Sequence, residues 1–101
     1  MLIFNTTYKV SGSITDSWLD WMRVIHIPFM LANKQFSHPQ IAKIVGSEDE
    51  QGVSFSVQFR ISDMQTLMNW HKLNATEFQN NFQQKFGNDV QFFSTVLEVV
   101  E

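Results

Sequence analysis

The most regular stretch of the chain is Val53 to Ile61, where Val53, Phe55, Val57, Phe59 and Ile61 alternate with Ser54, Ser56, Gln58 and Arg60. A period of two with apolar residues on one parity predicts a strand with one face in a core and one polar face. Leu2 to Val10 alternates in the same way, with Leu2, Phe4, Thr6, Tyr8 and Val10 on one side and Ile3, Asn5, Thr7 and Lys9 on the other. Gln40 to Val45 reads as a short strand. Val90 to Val100 reads as a last strand that is apolar on both parities, through Phe92 and Val96 and through Phe93, Leu97 and Val99, so both its faces are expected to be covered.

Between the strands the period lengthens. Ile14, Trp18, Trp21, Met22, Ile25, Phe29 and Ala32 recur at helical spacing, and Ser13 with Asp16 resembles a capping box at the start. Met64, Met68, His71, Ala75, Phe78, Phe82 and Phe86 predict a second helix, opened by Ser62 with Gln65 and closed by Gly87; Asn74 and a further box, Thr76 with Gln79, leave open a split into two helices. Pro28 interrupts the first pattern, where it removes a helical hydrogen bond and meets the carbonyl of Val24, so a kink or an early end is expected. Past it, Ile27, Phe29, Met30 and Leu31 are apolar nearly all round, which implies a second buried surface or a partner. Asn33 to Pro39 reads as a loop and Gly46 to Gly52 as a solvated acidic turn.

The resulting order, β-α-β-β-α-β, is the ferredoxin-like arrangement: an α+β domain over residues 1–101 with a four-stranded antiparallel sheet and two helices on one face. The apolar parities of the first and third strands should meet the helices. Ile3, Asn5, Thr7, Lys9, Ser54, Ser56, Gln58 and Arg60 are then left on an open face beside a last strand with surplus apolar surface. In dimeric α+β barrels two such sheets face one another around a small cavity, so a homodimer is the expected assembly.

Composition narrows the partners. A chain with ten Phe and three Trp can build a core, while a net charge of −3 with basic residues scattered along it gives no footprint for nucleic acid or an anionic membrane. There is no Cys for a disulfide, thiolate site or thiol nucleophile. No apolar stretch approaches the ~18 residues of a membrane span, and the short apolar start lacks the basic residues of a signal peptide. A cytoplasmic protein is expected.

Several local features taken in order resemble one family: Ile3-Phe4-Asn5-Thr6-Thr7-Tyr8, Trp21 followed by His26-Ile27-Pro28, Ser56-Val57-Gln58-Phe59, Trp70, Lys85-Phe86-Gly87, and Leu97-Glu98-Val99-Val100. Together they are similar to domain of unknown function 4286. The resemblance implies a ferredoxin-like fold akin to the dimeric α+β barrels and brings no established activity.

Sharper functions of related folds meet obstacles in the residues. Haem-degrading monooxygenases resemble the chain at Asn5 and Trp70 but place an iron-ligating His beyond that Trp, where Asn80 stands here, and His71 lies directly after the Trp instead. Acylphosphatases cradle phosphate on a Gly-rich loop with an Arg, and Asp16 and Asp20 fall where a Gly and the Arg belong. RNA-recognition modules stack bases on exposed strand aromatics, whereas Phe55 and Phe59 share the core parity. The histidines lack metal-ligand spacing; His38 sits in a loop, His71 reads as a partly buried core residue, and His26, beside the Pro28 kink, could line a pocket. No Ser is framed beside a base as a nucleophile.

The favoured reading is a small homodimeric α+β domain without a catalytic motif, binding a small molecule on the open sheet face and using no cofactor or metal. The alternative is a cofactor-independent monooxygenase or isomerase of the dimeric barrel type. The candidate pocket residues are Asn5, Thr7, Ser56, Gln58, Arg60, His26 and Trp70.

Overall fold

A computed structural model describes residues Met1–Glu101. Strand β1 (Leu2–Val10) leads into α1 (Thr15–Trp21), a π-helical turn (Met22–His26) and α2 (Ile27–Ala32), which follow one another as a single helical arm. Then come β2 (Ser37–Lys43), β3 (Val53–Ile61), the long helix α3 (Met64–Phe86) and β4 (Val90–Glu98), with 3-10 turns at Gly12–Ile14 and Gly87–Asp89. All strand pairs are antiparallel and the order is β2-β3-β1-β4. The β-α-β-β-α-β reading therefore holds as an α+β fold.

The alternation predicted for β3 is kept throughout, with Val53, Phe55, Val57, Phe59 and Ile61 buried. On β1 it is Thr6, Tyr8 and Val10 that are buried, and both sets pack against Trp18, Met22 and Met30 of the arm and Leu67, Trp70, Phe82 and Phe86 of α3. The core is largely aromatic: Trp18 stacks on Phe55 with ring centres 5.0 Å apart, and Tyr8 lies 5.1 Å from Trp18 and 5.9 Å from Phe82. Such tilted and offset pairs add ~1 kcal/mol each to what burial alone gives.

The arm departs from the predicted stripe at one point. Its buried residues are Trp18, Met22, His26 and Met30, whereas Ile25 and Phe29, expected inside, are 55 % and 48 % exposed. The cause is the π-helical turn, in which the N–H of Ile27 reaches back five residues to the carbonyl of Met22. One extra residue in a turn slips everything after it by one position, so the core-facing set passes from 25 and 29 to 26 and 30. Pro28 is not a break: it falls in the first turn of α2, where a missing N–H costs nothing.

Four smaller expectations are corrected, and the continuity of the second helix, left open by the sequence, is resolved. β2 starts at Ser37 rather than Gln40, so Pro39 lies inside a strand; this is an edge strand with a register shift between Ser37 and Gln40, the setting in which a proline is tolerated. α3 is continuous through Asn74, whose Nδ2 donates to the Trp70 carbonyl one turn back at 2.9 Å. Its cap is Asp63, which accepts from Thr66 N–H at 2.8 Å, rather than Ser62; and no side-chain cap forms at Ser13, because a 3-10 turn precedes α1 there. Met64, Met68 and His71 are exposed, since the buried stripe of α3 runs instead through Leu67, Trp70, Phe82 and Phe86.

β4 is covered only in part: Phe92 meets Tyr8, Phe78 and Phe82 on the helix side yet stays 36 % exposed, Phe93, Val96 and Leu97 are exposed as well, and only Val90 is buried. It is the edge strand beside β1, and nothing in the chain lies beyond it.

The β2–β3 turn folds back onto β1. Lys9 Nζ donates to Asp49 Oδ2 at 3.0 Å and to the Ser47 carbonyl at 3.2 Å, and Gly52, with φ of +141°, approaches β1 so closely that a Cβ would stand 1.9 Å from the Val10 carbonyl oxygen. Gly52→Ala should therefore cost more than 2 kcal/mol in urea unfolding, against ~1 kcal/mol for Gly46→Ala, which has φ of +81° but open space around it. Equal losses would contradict the close approach.

Candidate functional site

The sheet divides the seven candidate residues into two groups. Asn5, Thr7, Ser56, Gln58 and Arg60 stand on the open face, where the β1–β3 register sets Asn5 opposite Gln58 and Thr7 opposite Ser56. Ser56 Oγ donates to Asn5 Oδ1 and Asn5 Nδ2 donates to Thr7 Oγ1 at 3.3 Å, so three of the five already satisfy one another and the Asn5 amide is held in one orientation. Gln58 and Arg60 instead border a shallow depression of about 340 Å³ with Ile3, His38 and Gln40.

Charge on this face is uneven. Lys9 is committed to Asp49, whose carboxyl is held below its usual range chiefly by that hydrogen bond. Arg60 is exposed and pairs with no carboxylate. The registers place no Asp or Glu among the outward residues of the sheet: Gln91, Phe93, Thr95 and Leu97 of β4 lie beside Lys9, Thr7, Asn5 and Ile3, and Gln40 and Ala42 of β2 lie beside Gln58 and Ser56.

His26 and Trp70 are on the opposite side, in the helical layer, and do not join the other five. Trp70 is a core wall, 6.2 Å from the Phe4 ring and 5.1 Å from Phe36 in edge-on contacts. His26 is only 6 % exposed and is placed by the π-helical turn. In an α-helix, residues five apart point about 140° away from each other. A turn bonded over five residues brings them nearly into line, so Trp21 and His26 stack with ring centres 5.3 Å apart and planes within 13°. Phe78 at 5.0 Å and Phe59 at 6.2 Å close the imidazole in from α3 and β3.

Between the turn and the middle of α3 lies a cavity of about 150 Å³ walled by Trp21, Ile25, His26, Phe29 and Phe78, with Asn74, Glu77 and Asn81 at its rim. A smaller space of about 60 Å³ on the sheet side of the same imidazole is bordered by Thr6, Tyr8, Trp70, Phe92 and Ser94 among others. His26 borders both of these spaces. Trp21, Ile25, Phe29 and Glu77 were not among the sequence candidates, although the four-residue spacing of Trp18, Met22, His26 and Met30 carries the signal of the slipped register. No group of three or more His, Cys, Asp or Glu side chains is arranged to hold a metal ion.

Burial pushes the His26 imidazole down from 6.5 to about 4, and the same cause pushes the Tyr8 phenol up. His26 is thus neutral at pH 7. The unfolded chain takes up its proton near pH 6.5 and the folded one only near 4, so the folded state loses stability as the pH falls through that window, on the order of 3 kcal/mol in all. Asp49 and Asp63 act below 3.8, where their lowered carboxyls lose their partners, and so do not overlap it. Urea unfolding between pH 7 and pH 4.5 should show a steady loss in the natural protein and a much flatter profile in His26→Phe. Parallel profiles would contradict a buried neutral imidazole.

Neither the curated proteins nor the solved structures give a match to the chain. The family model described as Domain of unknown function (DUF4286) matches residues 1–100, which takes in every element from β1 to β4. The chain belongs to the DUF4286 family.

Proposed function

We propose that the protein works as a homodimer in which two open sheet faces meet and enclose a small-molecule site, with Arg60 supplying the charge that selects an acidic ligand. The observation that carries this reading is β4: Phe93 is 63 % exposed and Leu97 42 % on the open face, directly beside a row of short polar side chains. Apolar residues that flank a polar centre suit a seal around a wet cavity.

Three further points support it. No outward strand residue is acidic and the Asp49 carboxylate that reaches the face is paired with Lys9, so two copies would meet with little acidic repulsion although the chain as a whole has a net charge of −3. Three strands of nine residues and one of seven give a footprint of roughly 540 Å², and the relief of the side chains raises its accessible area towards the ~800 Å² per partner of a stable interface. The two edges also differ: β2 is blunted by Pro39 and a register shift, while β4 runs nine residues with Glu98 as its single charge.

Asn5, Thr7, Ser56 and Gln58 would line the enclosed space, and Arg60 would meet a carboxylate or phosphate in paired hydrogen bonds. Light scattering at micromolar concentration should give twice the 11.8 kDa chain mass. Phe93→Lys combined with Leu97→Lys should give the single-chain mass with unchanged far-UV circular dichroism. A monomeric natural protein, or a dimer indifferent to both lysines, would sink the proposal.

A further inference from the structure

The cavity between the π-helical turn and α3 lies across the sheet from the proposed dimer face and has chemistry of its own. Its walls are aromatic and aliphatic, and its volume of about 150 Å³ is that of a cavity known to hold a single benzene-sized ring. Ile25 and Phe29 reach it half-exposed because the π-helical turn slipped them out of the core. Apolar surface left in this way is recovered when a ring covers it, at ~25 cal/mol per Å².

His26 sets the polar requirement. Trp21, Phe59 and Phe78 occupy its faces and edge, yet its ring nitrogens form no hydrogen bond within the chain, and desolvation is the sole influence on its titration. The one fully buried side-chain polar atom without a partner is Trp18 Nε1, so the His26 nitrogens are still reached from the cavity, and a ligand hydroxyl there would gain the ~1 kcal/mol of an ordinary hydrogen bond. At the rim, Asn74 has one N–H committed to the Trp70 carbonyl and keeps its oxygen as an acceptor, and Glu77 adds a carboxylate that repels anions. The wall and rim therefore offer acceptors to a neutral donor. π-Helical turns are often found where a function holds a helix out of its regular form.

We infer that this cavity binds a neutral, phenol-sized aromatic molecule whose hydroxyl donates a hydrogen bond to His26. The ring lies against Phe29 and Phe78, and the hydroxyl points inward to the imidazole. The site is complete within one chain and does not depend on dimerisation.

The test uses the full chain with phenol, toluene and benzoate as probes, followed through the His imidazole and Trp indole signals in NMR. Phenol should give saturable shifts at His26 and Trp21 and bind about tenfold more tightly than toluene or benzoate. In His26→Phe the preference for phenol over toluene should fall to about one. Asn81→Trp, a change at an exposed rim position, should obstruct the mouth and weaken phenol about tenfold, which keeps the test open if the His26 variant does not fold. Absence of saturation up to the solubility limit of phenol, equal binding of phenol and toluene, phenol shifts confined to the open sheet face, or an Asn81→Trp variant that binds like the natural protein would each overturn the assignment.

Discussion

Pro28 has no N–H to give, and in an α-helix its ring would need the room taken by the carbonyl of Val24. The arm keeps its course through this obstacle by widening the turn before it, so that Ile27 bonds to Met22 and Pro28 begins a fresh helical segment. The rest of the helical layer depends on that adjustment. It keeps Trp18, Met22, His26 and Met30 on one line facing the sheet, where a continuous α-helix would have drifted by about 40° at every fourth residue. It also stacks His26 on Trp21 and turns Ile25 and Phe29 towards the gap above α3. A core contact, a buried titratable group and an apolar cavity thus share one cause.

The sheet beneath separates two environments with little in common. Towards the helices it presents Tyr8, Val10 and the odd-numbered residues of β3, locked into an aromatic network that includes Trp18 and Phe82. Away from them it presents a polar centre already ordered through Ser56, Asn5 and Thr7, with an unpaired Arg60 at one end and a lysine tied into the β2–β3 turn at the other. Rigid short polar groups with one free charge suit recognition of a small ligand better than a solvated surface, which would favour long, mobile charged side chains. β4 is the element least satisfied by its own chain, and it gives the dimer reading its physical basis.

Much of this was legible in the sequence because it rests on local periodicity. The strict alternation of Val53 to Ile61 assigned every side chain of β3 to its face, and β1 followed from the same rule. The element order then led to the sheet, and six short stretches in sequence led to the family. The misreadings came where a regular period was assumed to continue. An α-helical repeat does not foresee an inserted residue and so puts Ile25 and Phe29 inside, and on α3 the series through Met64, Met68 and His71 competes with Leu67 and Trp70, which only packing separates. Pooling His26 and Trp70 with the open-face residues failed for a different reason. Sequence position says which face a strand residue takes, but it does not say which layer a helical side chain shares a pocket with.

The central claim is that the π-helical turn carries His26 into the core as a neutral imidazole stacked on Trp21. An NMR pH titration of the His26 ring protons measures this directly. The account predicts resonances displaced by the Trp21 ring and a midpoint near pH 4. A midpoint near 6.5 with the shifts of a free histidine would show that the arm runs past Pro28 without the slip, and the account would fail with it.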